Sequence, residues 1–113
     1  MYQIVYYDYA EFLAFLKDLP PKLAVKITDT LELIEAGYDV LRNPLSKHLE
    51  SGIYELRIKQ ASDIARVFYF HDEGKLIIIT NAYLKKANKT DPRELKRAQL
   101  RRKEYIDSYK GGE

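Results

Sequence analysis

A period of two in side-chain polarity predicts that the middle of the chain is a sheet. In residues 54–59 (YELRIK), apolar and polar side chains alternate, as they do in a strand with one buried face. Residues 64–71 (IARVFYFH) form a second predicted strand, in which Arg66 is the charged residue among apolar neighbours. Glu73-Gly74 provides the next turn, and a third strand follows it.

The N-terminal part has the pattern of one strand followed by two helices. Residues 1–7 (MYQIVYY) are rich in β-branched and aromatic side chains, which favours a strand. Asp8 with Glu11 three residues later is a helix-start signature, and this first helix ends at Pro20-Pro21. The second proline suits the first turn of another helix, which Gly37 ends. The predicted apolar stripes are Phe12, Leu13, Phe15, Leu16 and Leu19 in the first helix, and Leu23, Ile27, Leu31 and Ile34 in the second.

A last helix is predicted from its start signal. In Asp91-Pro92-Arg93-Glu94 the aspartate caps, the proline takes the first helical position, and helical spacing continues to about Tyr109. Residues 45–50 (LSKHLE) are too short for a firm strand assignment. We therefore expect one α+β domain over residues 1–113, with an antiparallel or mixed sheet of about four to five strands. An N-terminal helical hairpin would cover one face, and a basic C-terminal helix would follow the sheet.

Hairpin geometry predicts which residues lie side by side. A turn centred on Ala61-Ser62 places Arg57 opposite Arg66. A two-residue turn at Glu73-Gly74 places Arg66 opposite Asn81 and Ile64 opposite Tyr83. The polar end of this face would hold Glu55, Arg57, Lys59, Arg66, Asn81 and Tyr83. The apolar end, with Phe68, Phe70, Ile77 and Ile79, would need the last helix as a cover. The opposite face, with Tyr54, Leu56, Ile58, Val67, Tyr69 and Ile78, would carry the helical hairpin.

The predicted arginine pair has two explanations. Like charges directly opposite each other on a sheet are unfavourable, so each arginine needs a partner. One explanation is that a nearby carboxylate, with Glu55 the obvious candidate, neutralises them. The other is that Arg57 and Arg66 await an anion such as a phosphodiester, whose oxygens match the guanidinium fork. Asn81 would then add a donor, and Tyr83 a ring on which a base can stack.

Composition adds a basic C-terminal part to this picture. The formal net charge is +2, yet residues 84–113 hold ten lysines and arginines against five acidic residues. Lys85, Lys86 and Lys89 are predicted in a loop beside the arginine pair, either as solvated surface or as a rim for a polyanion. Mutual repulsion would lower their pKa values and let one of them accept a proton. With no cysteine, no leader-like start and no long apolar run, we expect a cytoplasmic protein without metal or other cofactor.

Three runs of the sequence resemble a known family. PLSKHLESGIYELRI, IARVFYFHDEGKLIII and YLKKANKTDPRELKRA, within residues 44–103, are similar in order and spacing to phage-derived HigB-type toxins of the RelE/ParE superfamily. These are the toxin halves of type II toxin–antitoxin systems. The resemblance implies a ribosome-dependent endoribonuclease that cuts messenger RNA. It also implies a cognate antitoxin, usually a helix-turn-helix protein of the HigA type, and no membrane partner.

The resemblance also implies roles for individual residues. Arg57 ends the YELR-like run, Arg66 opens the RVFY-like run, and Lys85, Lys86 and Lys89 match the lysine-rich run. Two departures concern that loop: Ala87 stands where the pattern usually has Thr, and Asp91 where it has Pro. Cleavage without a metal needs a base, an acid and cations for the phosphate. We expect Arg57 and Arg66 at the phosphate and Lys86 or Lys89 as the base. A lysine, Tyr83 or a ribosomal group could be the acid.

Further RNA contacts and two other functions complete these expectations. The residues expected to hold RNA are Lys59, Asn81, Tyr83, Lys85, Arg93 and Arg97. The same fold without nuclease chemistry would be a ParE-like gyrase inhibitor, which damages DNA and leaves messages intact. A nontoxic RNA-binding module is the third alternative.

Overall fold

The computed structural model describes residues 1–85 and 89–109. Within these residues, five strands and three helices follow one another. They are β1 (Gln3–Tyr6), α1 (Tyr9–Lys17), α2 (Pro21–Glu35), β2 (Ser46–His48), β3 (Tyr54–Gln60), β4 (Asp63–His71), β5 (Leu76–Lys85) and α3 (Pro92–Tyr109). The predicted strands and helices are thus confirmed in type and order, and the run 45–50, which the sequence left open, contains a short strand.

The five strands form one mixed sheet in the order β1-β5-β4-β3-β2. β1 runs parallel to β5, and the other neighbouring strands are antiparallel. This confirms the predicted α+β class and strand number. Because β4 lies in the middle, its side chains are enclosed by strands on both sides, and six consecutive residues of β4 are buried.

The helical hairpin of α1 and α2 covers one face of the sheet. Asp8 caps α1 by accepting a hydrogen bond from the Glu11 N–H at 3.0 Å, and Pro21 is the first residue of α2. Both features match the prediction. The core beneath the hairpin includes Phe12, Leu19, Leu23, Ile27, Leu31, Ile34, Leu56, Ile58, Ala65, Val67, Tyr69, Ile77 and Ile79.

Helix α3 covers the other face. Asp91 Oδ1 accepts from the Arg93 N–H at 2.9 Å, which confirms the predicted cap. Ala98 is fully buried because the sheet approaches α3 closely there. The second core beneath α3 contains Ile53, Phe68, Phe70, Ile78 and Ala98. The predicted position of the last helix is therefore confirmed.

The first hairpin has the predicted register. β3 and β4 pair with Arg57 opposite Arg66, across a two-residue loop of Ala61 and Ser62. Ala61 has a φ of 56°, which is the positive value that a primed hairpin turn needs.

The predicted register of the second hairpin is wrong. The Asp72 N–H donates to the Leu76 carbonyl at 2.8 Å, so the loop has three residues, and Gly74 takes a φ of 61°. Moving a register by one residue turns each side chain to the other face. Ile77 and Ile79 therefore face the helical hairpin, and Ile78 lies under α3, the reverse of the expectation.

A β-bulge at Thr80 then changes the register again. Tyr69 pairs with Ile79 but Phe68 pairs with Asn81, so Thr80 is an extra residue in β5. Asn81 and Tyr83 consequently return to the face predicted for them, two residues from their expected partners. Tyr83, not Asn81, lies opposite Arg66, and Lys85, not Tyr83, lies opposite Ile64.

Among the described residues, we find no helix that is both long and apolar enough to span a membrane.

Candidate active site

The centre of the predicted site is a buried ion pair. Arg66 Nη1 lies 2.5 Å from Glu55 Oε1, and the two side chains are 3% and 1% exposed. Both residues point to the α3 side of the sheet from adjacent strands. The structure thus favours the neutralised explanation for Arg66 over a guanidinium that awaits an anion. Within the sheet, Glu55 is the counter-charge that allows Arg66 to be buried in the central strand.

Hydrogen bonds attach the segment before α3 to this centre. Thr90 Oγ1 donates to Glu55 Oε2 at 2.9 Å. The Asp91 N–H donates to the Tyr83 hydroxyl, also at 2.9 Å. Burial raises the pKa of Tyr83, although the Asp91 N–H partly opposes the increase. Residues 89–91 are therefore held against the end of β5 that carries Tyr83.

Arg57 has different surroundings from Arg66. Its side chain is exposed, and in the part of the chain that the structure describes no carboxylate forms an ion pair with it. β2 pairs with residues 54–56 of β3 and ends before Arg57. The Arg57 N–H donates to the Leu45 carbonyl at 2.8 Å, and the exposed residue lines a groove of about 370 Å³.

One cation of this groove, Lys26, was not among the predicted site residues. Lys26 and Lys59 line the groove with Arg57, and Lys26 Nζ donates to the Lys59 carbonyl. Lys26 belongs to α2. The helical period of α2 was the signal available, because Lys26 precedes the buried Ile27 and so lies beside the sheet edge.

Lys85 is the last residue of β5 and not a loop residue as predicted. It is 7% exposed, and its Nζ has no hydrogen-bond partner among residues 1–85 and 89–109. Burial lowers the pKa of Lys85, and the charge of Arg66 lowers it further. Lys85 lines a groove of about 420 Å³ together with Tyr83, Leu84, Lys89, Thr90, Asp91 and Pro92, although its Nζ is itself buried. Lys89 is exposed there, whereas Lys86 is outside the described residues.

Asn81 lies beneath α3 instead of at the surface. Its Nδ2 donates to the Glu94 carbonyl at 3.2 Å and to Glu94 Oε1 at 3.1 Å. The residue is 2% exposed. This position gives Asn81 a structural role between β5 and α3, and contact with RNA would require α3 to move.

The two predicted RNA contacts in α3 differ from each other. Arg93 has a side chain 92% exposed, 3.7 Å from Asp91. Arg97 forms an ion pair with Glu11 of α1, and Arg101 binds the same carboxylate at 2.6 Å. Arg101 also donates to the carbonyl of Thr80 at 2.8 Å, so it supports the bulge. Arg97 thus takes part in joining α1 to α3, while Arg93 remains available at the surface.

One comparison with known proteins identifies the family. The family model described as "Phage derived protein Gp49-like (DUF891)" matches residues 14–103, which include β2 to β5 and most of α3. The chain belongs to the phage-derived Gp49-like family. This Gp49-like family is associated with the toxins of toxin–antitoxin systems. No curated protein matches the chain at a significant level.

Proposed function

We propose that this Gp49-like protein is a HigB-type toxin of the RelE/ParE superfamily. In this proposal it cuts messenger RNA on the ribosome and thereby inhibits translation. It acts in the cytoplasm, and a helix-turn-helix antitoxin of the HigA type neutralises it. The family membership supports the toxin class, and the residues around the Arg66–Glu55 pair support nuclease chemistry.

The observation that carries the proposal is an excess of positive charge around one buried carboxylate. Burial, Arg66 and Arg57 lower the pKa of Lys85, whereas the nearby carboxylate of Glu55 acts in the opposite direction. Glu55 accepts hydrogen bonds from Arg66 and Thr90. Arg57 lines one groove and Lys85 another, and cations beside open grooves suit a polyanionic backbone, because each phosphate supplies negative charge.

The proposed reaction needs no external reactant. The 2′-hydroxyl loses its proton to a lysine amine, and its oxygen attacks the adjacent phosphorus. The bond between phosphorus and the 5′-oxygen breaks, and that oxygen takes the electron pair and a proton from the acid, which is a lysine, Tyr83 or a ribosomal group. The products are a 2′,3′-cyclic phosphate and a 5′-hydroxyl. A guanidinium stays charged at neutral pH, so it stabilises the negative charge of the transition state and does not act as the base.

Roles in this reaction follow from the surroundings of each residue. Arg57, being exposed, binds the phosphate directly, and Arg66 adds charge from below while it holds Glu55. Lys86 or Lys89 remains the proposed base. Lys59, Tyr83, Lys85 and Arg93 are the proposed RNA contacts with atoms beside a groove or at the surface, whereas Arg97 and Asn81 would have to leave the partners described above.

The experiment is expression of the chain alone from an inducible promoter, followed by mapping of transcript ends within minutes. We expect codon-phased cuts that depend on translation and disappear with Arg57→Ala. A matched control is Lys17→Ala, at the exposed end of α1. Growth arrest with DNA damage and intact messages would contradict the proposal and indicate a gyrase inhibitor. Normal growth with the folded protein present would indicate a nontoxic binding module.

A further inference from the structure

The most unusual side chain in the described structure is Lys85. An ammonium group is strongly hydrated, and a lysine is rarely buried without a partner. Lys85 is nevertheless 7% exposed, and no hydrogen bond reaches its Nζ within residues 1–85 and 89–109. A buried charge without a counter-ion destabilises the folded state. This cost in folding free energy implies that a ligand compensates the charge of Lys85 or that a function of the protein requires the buried amine.

The charged groups that face Lys85 do not supply this compensation. Arg66 on β4 and Arg57 on β3 repel its ammonium, whereas Glu55 on β3 and Asp91 before α3 attract it. Both carboxylates already have other partners. Glu55 accepts from Arg66 and Thr90, and Asp91 accepts from the backbone N–H of Arg93.

The groove at Lys85 has room for a phosphate and part of its nucleotide. Its volume is about 420 Å³, within the range of small-molecule sites. Tyr83 and Pro92 provide apolar walls, and Lys89 adds a second cation. Lys85 follows Tyr83 on the same face of β5, and both residues line the groove, with the Nζ of Lys85 buried beneath its surface.

We propose that Lys85 is a built-in phosphate ligand, and that a phosphate group of the RNA backbone is the partner that its Nζ does not have among the described residues. The proposal rests on the proposed function for the identity of the polymer. It goes beyond that function by assigning the innermost phosphate contact to Lys85 and not to Arg66, which already has Glu55. Lys89 binds the same phosphate from the outer side of the groove.

This arrangement lowers the stability of the free protein and favours the binding of an anion. Among the described residues the ammonium of Lys85 has no hydrogen-bond partner, and the phosphate supplies one when it binds. Lys85→Met keeps the length of the side chain but removes the charge. The variant is therefore expected to be more stable than the wild type when free and to bind anions worse. A lysine that served the fold alone would show the opposite change in stability.

The test measures melting temperature with and without sodium phosphate, against sodium chloride of equal ionic strength. Phosphate also stabilises proteins by exclusion from their surface, so Lys22→Met, at an exposed position of α2, is the matched control. We expect free Lys85→Met to melt above the wild type, and phosphate to stabilise the wild type and Lys22→Met more than Lys85→Met. Equal phosphate stabilisation in all three proteins would overturn the proposal.

A second measurement uses an all-2′-deoxy oligonucleotide, which cannot be cut by 2′-hydroxyl attack. Loss of one charge-assisted contact should weaken its binding to Lys85→Met by about 10- to 100-fold, with no loss in Lys22→Met. Unchanged affinity in Lys85→Met would contradict the inference. These binding readouts need no ribosome and no cleavage. If the wild type shows them but leaves transcripts intact, the proposed function fails and the phosphate site stands.

Discussion

Arg57 and Arg66 lie directly opposite each other on β3 and β4, yet one is exposed and the other is buried in an ion pair with Glu55. The repulsion expected for like charges at such positions is relieved by this division. Arg66 lies in the central strand and needs the carboxylate to be buried there. Arg57 lies beyond the end of β2, where water and ligands reach it. The two arginines should therefore respond differently to substitution.

Arg57→Ala should leave the fold intact and remove most of the activity. An exposed side chain without an ion pair in the described structure contributes about 0.5 kcal/mol or less to the free energy of unfolding. Loss of a group that stabilises transition-state charge costs roughly 10²- to 10³-fold in rate. Urea unfolding and the rate of translation-dependent RNA cleavage measure the two effects. A folded Arg57→Ala protein that cleaves at the wild-type rate would contradict the role given to Arg57.

Glu55→Ala should instead destabilise the fold. Removal of one partner from a buried ion pair costs about 3–5 kcal/mol, because the other charge stays buried without compensation. Glu55 and Arg66 are both buried, so this estimate applies to them. The double substitution Glu55→Leu/Arg66→Met should recover most of the lost free energy of unfolding, measured with urea. If the effects of Glu55→Leu and Arg66→Met, measured singly, add up to the effect of the double substitution, the two residues are not coupled.

The sequence predicted the first hairpin because its turn is short and regular. Two residues, Ala61 and Ser62, connect β3 and β4, and no bulge interrupts the ladder, so the partner of Arg57 followed from counting. The helices were predicted for a similar reason, since Asp8, Pro21 and Asp91 give local signals at their starts. These features depend on the residues nearest in the chain.

The second hairpin could not be predicted in this way. Its three-residue loop and the bulge at Thr80 each shift the register by one residue, and neither has a strong sequence signal. After the bulge the two shifts add up to two residues, which leaves each side chain on its original face, so Asn81 and Tyr83 kept their predicted face. Ile77 to Ile79 lie before the bulge, where the shift is one residue, and they face the opposite side from the prediction. The support for the bulge comes from Arg101, which is distant in the sequence and binds the Thr80 carbonyl.

Glu11 should make the contact between α1 and α3 sensitive to acid. Although burial alone would raise its pKa, the hydrogen bonds from Arg101 and Arg97 are stronger together, and the pKa of Glu11 is lowered. Its folded-state pKa therefore lies below the unfolded value of about 4.3. The stabilisation is present above that value and is lost as pH falls through the folded pKa. In urea unfolding, the wild type should lose more stability than Glu11→Gln between about pH 5 and pH 3. Parallel pH curves for the two proteins would contradict this.

Lys85 should make the free energy of unfolding depend on pH in the alkaline range. Burial, followed by repulsion from Arg66, lowers its pKa, so the folded state holds this proton less tightly than the unfolded chain does. Between the folded pKa and the unfolded value of about 10.4, the unfolded state binds more protons, and stability rises with pH. The advantage of Lys85→Met over the wild type should therefore be largest near neutral pH and shrink as pH approaches 10.

Ionisation of the tyrosines lowers stability in the same pH range, so wild type and Lys85→Met must be compared at each pH. Burial raises the pKa of Tyr69 to about 12, and folding then becomes less favourable once unfolded tyrosines ionise. Both proteins share this change, and it cancels in the difference between wild type and Lys85→Met. Chemical unfolding at intervals from pH 7 to pH 10 measures the difference. A stability difference that stays constant over this range would show that the amine of Lys85 is not the source of the strain, and that the methionine stabilises the fold by packing alone.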